Sequence, residues 1–578
     1  MSEDWINKLY FGDNLKILKE EIADESVDLI YLDPPFNSSA TYNVLFEETG
    51  GGKSAAQITA FEDTWRWGSE TDIIFHQVVE TSPPKTAEFL NAMRGYIGVG
   101  GLLAYLVMMT PRIVELHRVL KRTGSLYLHC DPTASHYLKL LLDGVFDPRN
   151  FRSEIVWRRT NAHNKITRQY GPIHDLILFY SKNDEFTFHP GYRPYSLEYI
   201  RSRFIHTDER GTYQINYLTG LGTRAGESGK PWRGFDPTSV GRHWAVPRSL
   251  RYYIPDGGTG LSSHEQLELL DQYQLIIFPK KEGGQPMYKQ YIGPGVPYQD
   301  LWAYQPNTKG VLGNTDECID QDVKWLEDED EKLGFATQKP LGLLARIIRT
   351  SSDEGDIVLD PFCGCGTAVI AAELLKRCWI GIDITHLAIA LIKNRLQGTE
   401  VKDCRPYRVL GIPKDLKSAE ALAIENRHQF EWWAVGLVGG RPAQDKRKGP
   451  DRGVDGYIFF FDDGSGKSKK IVIQVKSGAV ASEMIRDLRG AMEREKAVIG
   501  AMITLKQPTR EMRKEAASSG IYQPEFHPQF RFNKIQILTI DELLSGKKIE
   551  YPRLAPDATF NRTKKSKRGG LPPEMLLI

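Results

Sequence analysis

The chain has 578 residues, 41% of them apolar and 26% charged, with a formal net charge of +1. That length exceeds what one hydrophobic core supports and implies two or three domains. No apolar run reaches the roughly 18 residues of a membrane span. Met1-Ser2-Glu3-Asp4 lacks the basic start and apolar stretch of a signal peptide, so a cytoplasmic protein without a membrane partner is expected.

In chain order, residues 27–33 form a short apolar run ended by Pro34 and Pro35, the pattern of a strand buried on both faces of a parallel sheet. Residues 102–120 have helical periodicity, Thr123-Gly124 breaks it, and residues 125–129 read as the next strand. Residues 175–180 read as another. This alternation predicts an open α/β sheet. Between about Glu185 and Glu331 it fades into an insertion rich in Gly, Tyr, Trp and Arg, including Arg193, Arg224, Lys230, Arg233, Arg242 and Arg251. Interleaved arginines and aromatics suit phosphate contacts and base stacking. The acidic run 327–331 at its end reads as a solvated loop. The α/β pattern resumes at Gln338 and lasts to about Cys404. The expected partition is 1–184 and 332–403 for the α/β domain, 185–331 for the insertion, 404–427 for a charged linker, 428–552 for a last module and 553–578 for a basic, disordered tail. There is no internal repeat, and the six cysteines suggest reduced thiols rather than a disulfide framework or a zinc site.

Two motifs carry the chemistry. Asp33-Pro34-Pro35-Phe36 ends the first strand, and ligands of open α/β sheets bind outside the carboxyl ends of strands. An exocyclic amine of adenine or cytosine is a poor nucleophile because its lone pair is delocalised into the ring. The Asp33 carboxylate can accept one N–H and the Pro34 carbonyl the other, orienting the nitrogen for in-line attack. The two prolines hold both acceptors in place, and Phe36 can stack on a flipped base. A plain strand followed by a Pro-Pro turn would show the same four residues. The second motif runs from Ile357 through Asp360-Pro361-Phe362-Cys363-Gly364-Cys365-Gly366-Thr367, and reads as strand, glycine turn and helix. The strand that follows ends at Asp383, roughly 20 residues beyond the first glycine, where a nucleotide-binding fold places a ribose-binding carboxylate.

Together with Gln338-Lys339-Pro340, these motifs resemble the amino-methyltransferases of DNA in the permuted beta group, in which the catalytic motif precedes the cofactor motif. The resemblance implies a Rossmann-like methyltransferase sheet with the insertion as target recognition region. It also implies that Gln338, Lys339, Pro340 and the loop Asp360, Pro361, Phe362, Cys363, Gly364, Gly366 and Thr367 surround S-adenosylmethionine. Cys365 stands where serine is commoner. The family pattern points to adenine N6, with cytosine N4 open. Double-stranded DNA is the expected partner, and a homodimer is open.

In the last module, residues 471–476 read as a strand placing Gln474 and Lys476 on one face. Residues 453–456 open a partner strand, with the turn at 463–466 closing a hairpin. Side by side, Asp455 and Gln474 could hold Mg2+ through oxygen ligands, Glu431 could complete the set, and Lys476 could orient or deprotonate the attacking water. The arrangement resembles the Mrr-like branch of the PD-(D/E)xK nuclease fold, with glutamine in place of the second acid. DNA cleavage in a restriction-modification or defence setting is therefore expected, against the alternative of a domain that only binds DNA.

Overall fold

The computed structural model describes residues 5–35, 67–161, 168, 170–195, 197–281, 283–304, 320–326, 331, 337–398, 401, 403–443, 453–462, 468–524 and 529–552. Two compact units result: Met1–His189 with Gln299–Tyr304 and Asp322–Ile578, and Pro190–Tyr298 with Gln305–Gln321.

The first unit is built on a nine-stranded sheet. Its strands are β1 (Asn7–Phe11), β2 (Val27–Leu32), β3 (Leu120–Cys130), β4 (Phe151–Arg158), β5 (His174–Ser181), β6 (Leu301–Trp302), β7 (Ile357–Asp360), β8 (Cys378–Asp383) and β9 (Tyr407–Leu410), in the order β6-β4-β5-β3-β2-β7-β8-β1-β9. Only β5 runs against its neighbours. Strand alternation divides the core. In β2, Ile30 and Leu32 pack into one apolar layer with Leu103, Leu106 and Leu138, and Leu29 and Tyr31 into the other with Leu344, Ile347 and Trp379. Both faces are thus covered, as the continuous apolar run of β2 requires.

The arrangement of β2 and β7 positions the site. They pair in parallel, Val358 beside Leu29 and Leu359 beside Ile30. From β2 the chain goes on to β3 on one side, and from β7 through helix α2 (Thr367–Leu374) to β8 on the other. Connections that leave adjacent strands in opposite directions open a crevice at their carboxyl ends. Helix α1 (Leu341–Ser351) leads into β7.

Three expectations are corrected. Thr123-Gly124 does not break the chain before a strand but lies inside β3, which already starts at Leu120. A Cβ on Gly124 would meet Leu120 Cδ1 at 2.6 Å and the Asp28 carbonyl at 2.9 Å, so the glycine permits a close backbone approach within the sheet. Second, the segment read as a linker, 404–427, carries ordered elements: β9, and helix α4 (Leu416–Glu425), which Asp415 and Ser418 cap reciprocally. Its Leu416, Ala419, Leu422 and Ala423 pack on the core of the last module. Third, Glu331, at the end of the acidic run, is not simply solvated: its carboxylate accepts from Leu341 N (2.7 Å) at the start of α1. Residues 327–330 and the tail 553–578 lie outside the described residues.

Edge strand β9 is held through a buried carboxylate. Glu373 accepts from Asn7 Nδ2 (3.1 Å), Trp379 Nε1 (2.7 Å), Arg405 N (2.8 Å) and Arg405 Nη2 (3.0 Å). Two strands, the segment leading into β9 and a helix therefore share one anion. Further along the chain, helix α3 (His386–Gln397) precedes β9 and helix α5 (Arg427–Leu437) opens the C-terminal module. That module has the sheet β10 (Arg441–Pro442), β11 (Gly456–Phe460), β12 (Lys469–Lys476), β13 (Ile499–Thr504) and β14 (Ile535–Thr539), in that order. The pair β11 and β12 is antiparallel, as the hairpin pattern predicts, and β13 and β14 add in parallel.

The second unit has a four-stranded antiparallel sheet of His206–Asp208, Gly211–Tyr217, Met287–Tyr291 and Ile276–Ile277 over a core of Leu218, Trp232, Trp244, Leu250, Leu267 and Leu270. Arg224, Lys230 and Arg251 are exposed. Arg233 instead forms ion pairs with Glu268 and Asp271 inside the unit.

Removing the shared anion should leave buried donors unpaired. Glu373→Ala is expected to lower unfolding free energy by about 3–5 kcal/mol, read by denaturant titration of the full chain.

Candidate active site and cofactor cleft

At the switch point between β2 and β7, one cleft open to solvent is lined by Tyr31, Asp33, Thr337, Lys339, Leu344, Asp360, Phe362, Cys363, Gly364, Cys365, Thr367 and Ala368. The two motifs, more than 300 residues apart in sequence, thus face one space. Asp33 follows the last residue of β2, and its carboxylate forms an ion pair with Lys339 Nζ, which also donates to Thr337 O (3.2 Å). Pro34 is buried and Pro35 half-buried. Phe36 lies outside the described residues.

On the other wall, Asp360 ends β7 and accepts from Phe362 N (3.0 Å). Burial pushes its carboxyl well above the usual range, reinforced by the charges of Asp33 and Asp383. The turn that follows is held from three sides. Asn14 Nδ2 donates to Pro361 O (2.8 Å), Cys363 N to Ile382 O (3.0 Å) and Arg395 Nη1 to Cys365 O (2.9 Å). Arg112 in turn fixes Asn14 (2.6 Å). Gly364 and Gly366 have φ of 50° and 80°, and a Cβ on Gly366 would lie 2.5 Å from Ile392 Cγ1, so this position demands glycine. Cys363 and Cys365 are free thiols, raised by burial.

Gln338 and Pro340 are buried but do not line the cleft: Gln338 Nε2 donates to Glu331 O (2.7 Å), and Pro340 caps α1. Pro361 likewise stays behind the turn. Asp383 stands beneath the turn rather than in the cleft wall. It accepts from Gly364 N (2.9 Å), Thr385 N (2.8 Å) and Thr385 Oγ1 (2.8 Å). Ile384 adds a further backbone hydrogen bond, so the roughly four lone-pair sites of this carboxylate are all engaged by the turn and by the residues leading into α3. Sequence reading missed Tyr31, Asn14, Arg112 and Arg395. Tyr31 alone had a signal, being two residues from Asp33 on the same strand face.

In the C-terminal module, Asp455 N donates to Ile473 O (2.9 Å), extending the β11–β12 register so that Asp455 stands opposite Gln474. The expected pair is therefore adjacent, yet the Asp455 carboxylate accepts from Val475 N (2.7 Å). Gln474 is 3% exposed, and its Oε1 has no hydrogen-bond partner among the described residues. Glu431, on α5 as expected, is held by Arg427 Nε (3.0 Å) and His428 Nδ1 (3.3 Å). Lys476 ends β12 half-buried. No cluster of three or more His, Cys, Asp or Glu among the described residues is arranged to hold a metal ion.

Burial raises Asp383 from 3.8 to about 6, and the hydrogen bonds from Thr385 and Gly364 only partly oppose it. Because the folded value lies above the unfolded one, the neutral carboxyl's contribution is present below about pH 4 and lost as pH rises through about 6. Relative to Asp383→Asn, the wild-type chain should lose up to about 3 kcal/mol across that window, measured as unfolding free energy against pH.

Comparison with known proteins agrees with this geometry. Residues 27–394 match the DNA methylase family, and residues 427–545 match a family described as NACHT-associated inactive restriction endonuclease 1. The expectation of an Mrr-like, cleaving domain narrows accordingly to an endonuclease-like module of a family named as inactive. The type II methyltransferase M.EcaI of Enterobacter cloacae is 28% identical over 296 residues, 50% of this chain and 57% of that protein. The Mod subunit of the type III restriction-modification enzyme StyLTI of Salmonella typhimurium is 24% identical over 385 residues, 64% of this chain and 50% of that one. The chain thus spans about half the length of these curated relatives. Among solved structures, PvuII DNA methyltransferase (cytosine-N4-specific) is 14% identical with a TM-score of 0.30, covering 68% of this chain and 88% of that one. With residues 27–394, well over half its length, matched to the family and both motifs facing one cleft, the chain belongs to the N6/N4 DNA methylases.

Proposed function

We propose that the chain transfers a methyl group from S-adenosylmethionine to the exocyclic amine of a base flipped from duplex DNA, with adenine N6 as target. The observation that carries this reading is the single cleft lined by both Asp33 and the Asp360–Thr367 turn. The residues fit the cofactor. Two carboxylates suit its cationic centres, Lys339 suits a carboxylate, and the glycine turn allows close backbone approach. Asp383, at the end of β8, suits a ribose hydroxyl that shares an oxygen already bonded to the turn. When bound, the cofactor supplies an electrophilic sulfonium methyl.

Asp33 and the Pro34 carbonyl accept the two amine hydrogens, so the nitrogen lone pair points across the cleft toward the turn. The Asp33 carboxylate holds the proton that the amine loses. Lys339 neutralises Asp33 and yields to the amine as the base enters. No thiol takes part, because the burial-raised Cys363 and Cys365 stay protonated. The exposed Arg224, Lys230 and Arg251 of the second unit contact DNA phosphates.

The C-terminal module binds DNA in a restriction-modification setting without cutting it. Three features support the absence of cutting: the carboxylate of Asp455 is engaged by Val475 N, Glu431 is paired with Arg427 and His428, and Gln474 brings no charge to a metal.

With tritiated cofactor and unmethylated plasmid DNA, wild-type chain should label DNA, and Asp33→Ala should reduce labelling by about a thousandfold or more. Nucleoside analysis of the product should yield N6-methyladenine; N4-methylcytosine would reassign the base, and labelling retained by Asp33→Ala would sink the site. For the C-terminal module, wild type and Lys476→Ala should both leave methylated and unmethylated plasmid intact with Mg2+. Cleavage by wild type that Lys476→Ala abolishes would restore a nuclease.

A further inference from the structure

Behind Asp33 runs a chain of buried polar groups that the methyl-transfer reading does not use. Tyr31, two residues before Asp33 and on the same face of β2, lines the cleft. Its hydroxyl lies 3.0 Å from His129 Nδ1 on β3, and His129 Nε2 lies 3.2 Å from Asp175 Oδ2 on β5. Arg159, just past β4, approaches Asp175 Oδ1 with Nε at 3.4 Å. Tyr31, His129 and Asp175 are 2%, 0% and 3% exposed. Three adjacent strands, and the residue that follows a fourth, thus contribute one group each, ending at the wall beside Asp33.

The order of protons along this chain follows from its chemistry. Burial pushes the Asp175 carboxyl up, but its hydrogen bond to His129 and the positive charge around it, that of Arg159 included, more than offset this and hold it below the usual range. An ionised carboxylate only accepts, so His129 Nε2 carries a proton. In the neutral ring Nδ1 then accepts, and Tyr31 must donate to it. A phenol whose one proton is directed at His129 has none to offer the cleft.

We propose that Tyr31 is a specificity-determining positioning residue, fixed by His129 and Asp175 so that the wall beside Asp33 presents oxygen acceptors and no hydroxyl donor. This deepens the methyl-transfer reading and rests on it. An acceptor-only wall matches an amine, which brings two donors. It opposes a base edge carrying a carbonyl at the same place, whose lone pairs would meet those of Tyr31, Asp33 and Pro34. It also keeps the Tyr31 hydroxyl from donating into the space where the amine hydrogens belong.

The first test needs neither variant nor substrate. In the full chain labelled with ¹⁵N-histidine, the His129 ring, assigned by comparison with His129→Gln, should show an unprotonated Nδ1 and a protonated Nε2. The opposite tautomer, or a ring protonated on both nitrogens, overturns the proposal. The second test uses tritium transfer to unmethylated plasmid DNA. Tyr31→Phe, which removes an oxygen dipole facing the nitrogen as it gains positive charge, should lower kcat by about tenfold, with the Kd for S-adenosylmethionine unchanged. Asp175→Asn can donate to His129 Nε2, which reverses the tautomer and turns the Tyr31 proton toward the cleft; it should lower kcat likewise while the cofactor Kd holds. Wild-type kcat in both variants, alongside an active wild type and an inactive Asp33→Ala, overturns the role of Tyr31 alone. A wild-type chain that labels no DNA overturns the methyl-transfer reading and leaves the tautomer result standing.

Discussion

Parallel pairing of β2 with β7 places two carboxylates, Asp33 and Asp360, at neighbouring strand ends although 327 positions separate them, and the rest of the site is a response to that placement. Like charges so placed in a buried cleft repel, and the protein answers in two ways. Asp360 is pushed well above the ordinary carboxylate range by burial and by its neighbours, whereas Asp33 takes Lys339 as a counter-ion. Lys339 reaches it from the segment just before α1, which also lines the cleft through Leu344. A cation brought in by a ligand would relieve the same repulsion.

The turn after β7 shows how a flexible sequence is made rigid. Glycines at positive φ would be loose in isolation, yet Asn14, Ile382, Asp383 and Arg395 each hold one peptide group of the turn. Two of these partners lie on β8 and one on α3, the elements that follow α2 in the chain. The same α3 packs against α5 of the C-terminal module, where Gln429 Oε1 accepts from His386 N (3.3 Å) and the ring of His386 stacks on Phe11 (3.7 Å). The endonuclease-like module therefore adjoins the helix that backs the glycine turn.

Local chemistry was legible in the sequence; long-range registration was not. Asp33, Asp360, Lys339 and the glycine pair could be found because strand ends, turns and short motifs are written in consecutive residues. The cross-strand register of Asp455 and Gln474 was legible too, since a hairpin fixes it. His129 and Asp175 gave no signal, because their alignment with Tyr31 depends on how β3 and β5 pair. Strand β9 looked like linker for a related reason: an edge strand of four residues is placed by its pairing with β1, at the far end of the chain, and by Glu373 holding Arg405 just before it. Arg233 resembled a phosphate contact until its partners Glu268 and Asp271 appeared on a helix that sequence reading left inside an undivided insertion.

The central claim is that the cofactor, and hence the chemistry, resides between β2 and β7. Ultraviolet crosslinking of methyl-tritiated S-adenosylmethionine to the full chain, followed by peptide mapping, tests it most directly. Label should fall on peptides containing Asp33, Lys339 or the turn from Asp360 to Thr367. Label confined to the C-terminal module, or to the unit around the four-stranded antiparallel sheet, would contradict the account.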